Sequence, residues 1–277
     1  MPSDASVPLP EPSSFRDPSG FLFRDQHGTL LRQINQSYAP HYEKLMQGGL
    51  YQALRERAWM VGHEEVDLSR AACDGAAYVL QPEELPFISY PYEWAFSALQ
   101  DAALLTLDIQ RLALKHGMSL KDASAFNVQF VEGRPTLIDP LAFATCREDG
   151  SWPAYHQFCR HFLAPLALSA HVDCQLSQML WSHLDGLPLE VASRLLPWRT
   201  RFQPGLARHV HAKARGLRPE RMLASLKSTI RQLQRKVRDK PSPMIISVPT
   251  TSLTHSAKED IVRDFLEVAR PRTVWDV

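Results

Sequence analysis

Cysteine is scarce in this sequence. Its 277 residues hold four, Cys73, Cys146, Cys159 and Cys174, and none of them forms a CxxC pair. So few scattered thiols exclude a disulfide-built scaffold and fit the reduced thiols of a cytoplasmic protein. Long apolar runs are missing too. No stretch approaches the roughly 20 apolar residues that span a bilayer, so a membrane is not expected among the partners. The opening "MPSDASVPLPEPSS" lacks the basic start and apolar centre of a targeting peptide, and residues 1–14 read as a disordered lead-in. Net charge of one sign is also absent. With 31 Lys and Arg against 30 Asp and Glu, the chain as a whole points to no polyanion. No glycine-rich phosphate loop is present; the first hairpin offers only Gly20 and Gly28.

What remains is ordinary globular material, 44% hydrophobic and 22% charged, enough to bury a core. The neutral total hides an asymmetry. Residues 199–240 carry 13 Lys or Arg and only two acids, Glu220 and Asp239. The rest of the chain carries 18 bases and 28 acids. The basic stretch is therefore expected to meet either a polyanion or an acidic surface.

Periodicity gives the elements. "GFLFRDQHGTLLRQI" predicts a hairpin turning near His27-Gly28, and "SYAPHYEKLMQGGLYQALRERAWM" predicts two short helices divided at Gly48-Gly49, the second starting near Leu50. A second hairpin is expected from Tyr78–Leu80 and Pro86–Tyr90. "EWAFSALQDAALLTLDIQRLALKHG", free of internal Gly and Pro and apolar over most of its surface, predicts a buried central helix that stops at Gly117. Asn127–Val131 and Thr136–Ile138 predict a third hairpin around Glu132-Gly133. Residues 155–196 read as helix broken at Pro165, at Gly186-Leu187-Pro188 and at Pro197. Met222, Leu223, Leu226, Ile230, Leu233 and Val237 mark an amphipathic helix with a basic outer face. Strands come first and helices later, which predicts an α+β fold.

One segment carries candidate chemistry. In "LALKHGMSLKDASAFNVQFVEGRPTLIDPLAF", Asp122 is followed five residues later by Asn127, and Asp139 closes an apolar strand twelve residues after that. This order of long helix, Asp-x-x-x-x-Asn loop, hairpin and second Asp resembles the catalytic segment of protein kinases and of aminoglycoside and choline phosphotransferases. The resemblance implies a divergent two-lobed fold, with a small lobe over 15–92 and a helical lobe over 93–240. It implies Asp122 as catalytic base for an incoming hydroxyl, Asn127 and Asp139 as Mg²⁺ ligands, and Mg·ATP as cofactor. Departures point to a degenerate, pseudokinase-like site. Leu120 stands where the family usually has His, and Pro140-Leu141 follow Asp139 where protein kinases have Phe-Gly. No lysine lies in a strand able to reach the phosphates, and Arg32 is the nearest substitute for one.

The chain's last stretch, "AKEDIVRDFLEVARPRTVWDV", resembles the approach to the first strand of class I S-adenosylmethionine-dependent methyltransferases, with Asp276 as the strand's acidic, cofactor-binding residue. "SFRDPSGFLFR", "PFISYPYEWAFSALQDAALLTL", "HGMSLKDASAFNVQF" and "FCRHFLAPLAL" look like the N-terminal region of a bacterial family with such a domain in its second half, some members of which are named as nodulation proteins. The resemblance implies an accessory region of a methyltransferase, a linker over 241–256 and a truncated methyltransferase domain beginning at 257–277. S-adenosylmethionine would then bind only the complete protein, the missing domain would be the partner, and this chain would not methylate by itself. Two other functions stand beside it. One is Mg·ATP-dependent phosphotransfer at Asp122, Asn127 and Asp139. The other is a noncatalytic module binding nucleic acid or protein through 199–240. His156, Cys159, His161, His171 and Cys174 have zinc-ligand chemistry, but the interleaved Phe158, Phe162 and Leu163 favour plain core residues.

Overall fold

The computed structural model describes residues 9–10, 18–212, 218–234 and 252–269. The chain divides into two compact units, Met1–Lys236 and Val237–Val277.

The first unit is α+β. It opens with a five-stranded antiparallel sheet built from β1 (Leu9–Pro10), β2 (Gly20–Arg24), β3 (Leu30–Asn35), β4 (His63–Val66) and β5 (Ala76–Pro82), in the order β1-β2-β3-β5-β4. β2 and β3 form the first expected hairpin, with Phe23 opposite Leu31. At Gly20 a Cβ would sit 2.1 Å from the Gln33 carbonyl oxygen, so only glycine fits there. Alternation sorts β3 onto two faces. Leu31 joins Phe23 and Val79 in one apolar cluster, while Ile34 joins Tyr38, Tyr42, Leu80 and Leu141 in another. Arg32 is two residues from Ile34 and shares its face.

The expected helix pair is present as α1 (Ala39–Gln47) and α2 (Leu50–Arg55), parted by Gly49 at φ +76°. The second expected hairpin is not. β5 pairs with β3 and β4, whereas Pro86–Tyr90 forms no strand. Pro86 has no N–H to give to a ladder. The segment is instead held by a side chain: Gln129 Oε1 accepts from Ser89 N at 2.9 Å and Gln129 Nε2 donates to Ser89 O at 2.9 Å. β4 went unread because "HEEV" has no apolar alternation.

α3 (Phe96–Lys115) is the expected central helix, with nine buried residues spread around it, and it ends before Gly117 at φ +67°. Its buried Gln110 accepts from Leu120 N at 2.7 Å and donates to Ser119 Oγ at 3.0 Å, which ties the helix to β6 (Met118–Leu120). The third hairpin is β7 (Val128–Val131) with β8 (Arg134–Leu137), turning through Glu132 and Gly133, both at positive φ. β9 (Phe143–Thr145) returns to pair with β6.

A helical half follows. Pro165 was expected to break the first helix. The chain stays helical from α4 (Tyr155–Phe158) through a π-turn, Cys159–Leu163, into α5 (Ala164–His171). The wider turn sits immediately before the proline, where an i→i−4 bond cannot be made. A 3₁₀ segment, Cys174–Trp181, precedes α6 (Leu189–Leu195), and breaks fall at Gly186–Pro188 and Pro197 as expected. After the 3₁₀ turn Trp198–Phe202 come α7 (Pro204–Leu206), a second π-turn, Ala207–His211, and α8 (Pro219–Gln232). Met222, Leu223, Leu226, Ile230 and Leu233 are all buried, as the amphipathic pattern requires, and α8 packs on α3.

In the second unit, α9 (Ser252–Ala269) begins five residues inside the stretch expected as linker. The last proline before Pro271 is Pro249, so nothing interrupts a helix that starts at Ser252. Val237 and the expected strand Thr273–Val277, with Asp276, lie outside the described residues. No helix among the described residues is long and apolar enough to cross a membrane.

Candidate functional site

The loop from Lys121 to Asn127 leaves β6 and is drawn back to the end of the β7–β8 hairpin by its backbone. Lys121 N and Asp122 N both donate to the Ala142 carbonyl, at 2.8 and 3.2 Å. Ile138 N donates to the Asn127 carbonyl at 2.9 Å. The hairpin register, with Val128 opposite Leu137, therefore sets Asn127 beside Ile138 and one residue from Asp139. Lys121 Nζ turns away, donating to Ser19 Oγ at 2.7 Å and lying 4.8 Å from the Tyr38 ring centre.

Each acid has an assigned partner. Asp122 Oδ1 accepts from Ser124 N at 2.9 Å and from Gln157 Nε2 at 2.8 Å. Gln157, on α4, also accepts from Ala123 N through Oε1 at 2.8 Å, so one amide fixes two successive residues. Asp139 Oδ1 accepts from Leu141 N at 2.9 Å, capping the turn Pro140–Ala142, and from the Arg32 guanidinium at 2.8 Å. That ion pair is largely shielded, with side chains 13% and 16% exposed. Leu141 packs under the sheet against Ile34, Tyr38, Tyr42 and Leu80, and the Tyr38 hydroxyl reaches the Phe143 carbonyl at 2.6 Å. Tyr38 and Leu141 thus fasten the sheet to the Asp139 turn.

Four of the five site residues read from the sequence, Arg32, Asp122, Asn127 and Asp139, meet in this region. Asp276 lies outside the described residues. Sequence reasoning missed Gln157, Ser124 and Tyr38. Gln157 sits 35 positions from Asp122, and no spacing rule connects them.

The arrangement does not fit a bound divalent cation. Oδ1 of Asp139 carries the Arg32 guanidinium, which already supplies a positive charge to this carboxylate. Among the described residues no group of three His, Cys, Asp or Glu is placed to hold a metal. That statement covers the His156–Cys174 set as well. Cys159 is fully buried, and burial pushes its thiol up to about 12. His161 is buried too, and desolvation lowers it to about 4. One buried donor in the loop has no partner, the Asn127 side-chain nitrogen.

Two cavities lie away from this loop. One of about 740 Å³ lies along the α3–α8 seam and is lined by Leu107, Arg111, Leu223 and Arg231, with the 2.5 Å ion pair of Lys227 and Asp108 at its wall. Another of about 450 Å³ lies between the α5 end and α7. Neither is lined by Arg32, Asp122, Asn127 or Asp139.

No family model matches the chain. Over 202 residues it is 35% identical to the nodulation protein NoeA of Rhizobium meliloti (strain 1021). The match takes in 71% of this chain and 41% of NoeA, so the chain spans less than half the length of that relative.

Proposed function

We propose that this chain is the accessory region of a longer nodulation-associated protein, a divergent kinase-like module in which the phosphotransfer site has become a structural joint. The observation that carries this reading is the Arg32–Asp139 ion pair. In the kinase-like reading Asp139 would hold Mg²⁺; here a permanently charged guanidinium occupies its place and ties the sheet to the loop. The order of elements supports the kinase-like part: an antiparallel sheet with a helix pair, then a long buried helix, the Asp122–Asn127 loop, a hairpin and Asp139. The 35% identity to NoeA supports the nodulation association. The methyltransferase link rests on the likeness of 257–277 to the helix and first strand that lead into a cofactor-binding sheet, with S-adenosylmethionine belonging to the longer protein.

Thermal shift with Mg·ATP tests the joint. The midpoint should stay unchanged at millimolar nucleotide. Stabilisation that disappears in Asp139→Ala would overturn the reading. It would favour the second one, Mg·ATP-dependent phosphotransfer with Asp122 as base, which draws on the hairpin register that sets Asn127 beside Ile138 and one residue from Asp139.

A further inference from the structure

The turn Trp198–Phe202 carries two exposed aromatics set side by side between exposed arginines. Trp198 and Phe202 are 72% and 75% exposed, and their rings meet edge to face with centroids 5.6 Å apart. Large aromatics are normally covered, and two side by side in water mark a contact surface. Arg199 and Arg201 alternate with them and are exposed, as are Arg194, Leu195 and Arg208 nearby in the chain. From Val191 to Pro219 the sequence holds seven Lys or Arg and no Asp or Glu.

The turn is braced from within. Thr200 is its one buried residue. The Thr200 hydroxyl donates to the Pro197 carbonyl at 2.7 Å and lies 2.9 Å from Nε2 of His211, whose Nδ1 lies 2.7 Å from Ser193 Oγ on α6. A hydroxyl–imidazole–hydroxyl chain thus holds the turn's centre down and keeps its two aromatics facing out. Ordering entropy for the backbone is therefore spent before any partner arrives.

We propose that Trp198–Phe202 is a membrane-surface contact that takes a bilayer rich in anionic phospholipid. Two exposed rings and Leu195 supply apolar area at the depth of the headgroups, where Trp is favoured, and the flanking guanidiniums supply attraction to phosphate. The sequence expectation of no membrane rested on the lack of a spanning segment, and a contact that lies on the surface needs none. Single-stranded nucleic acid is the rival polyanion. It is served by a basic groove that tracks its backbone. Here the two aromatics stand exposed on a turn with their rings set at 85° to each other, not as a row of parallel faces on which successive bases stack.

The test uses the whole chain with vesicles of phosphatidylcholine alone and of phosphatidylcholine mixed with phosphatidylglycerol. Co-sedimentation should occur only with the mixed vesicles and weaken as salt rises. It should be accompanied by a blue shift of tryptophan emission that Trp198→Ala removes. Trp198→Ala/Phe202→Ala and Arg199→Glu/Arg201→Glu should each weaken binding about tenfold or more while keeping the thermal midpoint, since all four side chains are exposed. Equal binding to both vesicle types, binding to neither, or unchanged binding by the double variants would overturn the proposal. A single-stranded oligonucleotide that binds tighter than the mixed vesicles, and loses that binding in the same variants, would overturn it in favour of nucleic acid.

Discussion

Acid should loosen this protein well before its carboxylates titrate, and His209 is the residue that makes the effect measurable. Its ring is fully buried. Nδ1 lies 2.8 Å from the Tyr155 hydroxyl and Nε2 lies 2.9 Å from Ser225 Oγ, so the ring joins α4 to α8. Burial lowers its pKa from 6.5 to about 4, with Arg208 adding to the effect. His161, equally buried, is lowered to about 4 as well. A folded-state value below the unfolded one means that the unfolded chain takes up protons first. Stability is therefore fully present above pH 6.5, falls as pH drops from there, and levels off below about 4. At pH 5 each histidine should have cost about 2 kcal/mol, from about 1.4 kcal/mol per pH unit. The pair then removes about 4 kcal/mol, a large part of an ordinary domain's stability. His63, partly exposed and also lowered to about 4, adds less. Urea unfolding of the wild type and of His209→Gln at pH 7 and pH 5 gives the measurement. The variant should start less stable yet lose about 2 kcal/mol less over the interval. A wild-type free energy that stays flat between the two pH values, or a variant with the wild-type slope, would refute the argument.

Further outcomes follow from other particulars. Gly20→Ala should cost about 2–3 kcal/mol and lower the melting midpoint by at least about 5 °C, because the new methyl would meet the Gln33 carbonyl; calorimetry reads this directly. Thiol titration with a chromogenic disulfide should label exposed Cys73 quickly in the native protein, whereas Cys159, buried and pushed up to about 12, should react only on unfolding. Below pH 4 a second, separate loss should appear as Asp25 is protonated. Arg70, 2.6 Å away, and two backbone donors hold its carboxyl near 2, so that stability is present above 3.8 and goes as pH falls through 2.

Much of the fold could be read from short-range signals. β2 and β3, the break at Gly48-Gly49, the length of α3, its stop at Gly117 and the Glu132-Gly133 turn all follow from local periodicity and from residues that tolerate positive φ. The errors arise where a distant group decides. Pro86–Tyr90 looked like a strand, yet both backbone polar groups of its Ser89 go to the side chain of Gln129, 40 positions away. Pro165 looked like a break because a π-turn has no sequence period. At the candidate site, the resemblance to kinase catalytic segments singled out Asp122, Asn127 and Asp139. It could not show that Asp122 would be held by Gln157, nor that Arg32 would lie on Asp139 rather than beside a phosphate.

The bond between Gln129 and Ser89 bears on how the molecule moves. Residues 83–95 are the link that carries the chain from the sheet to α3, and a connector of this kind is where a fold would be expected to loosen first. A single side-chain amide, Gln129 on β7, grips both backbone polar groups of one residue in that link. Loosening of the link at Ser89 must break both bonds together. The Ser89 amide, in a connector without secondary structure, should then exchange as slowly as a strand amide.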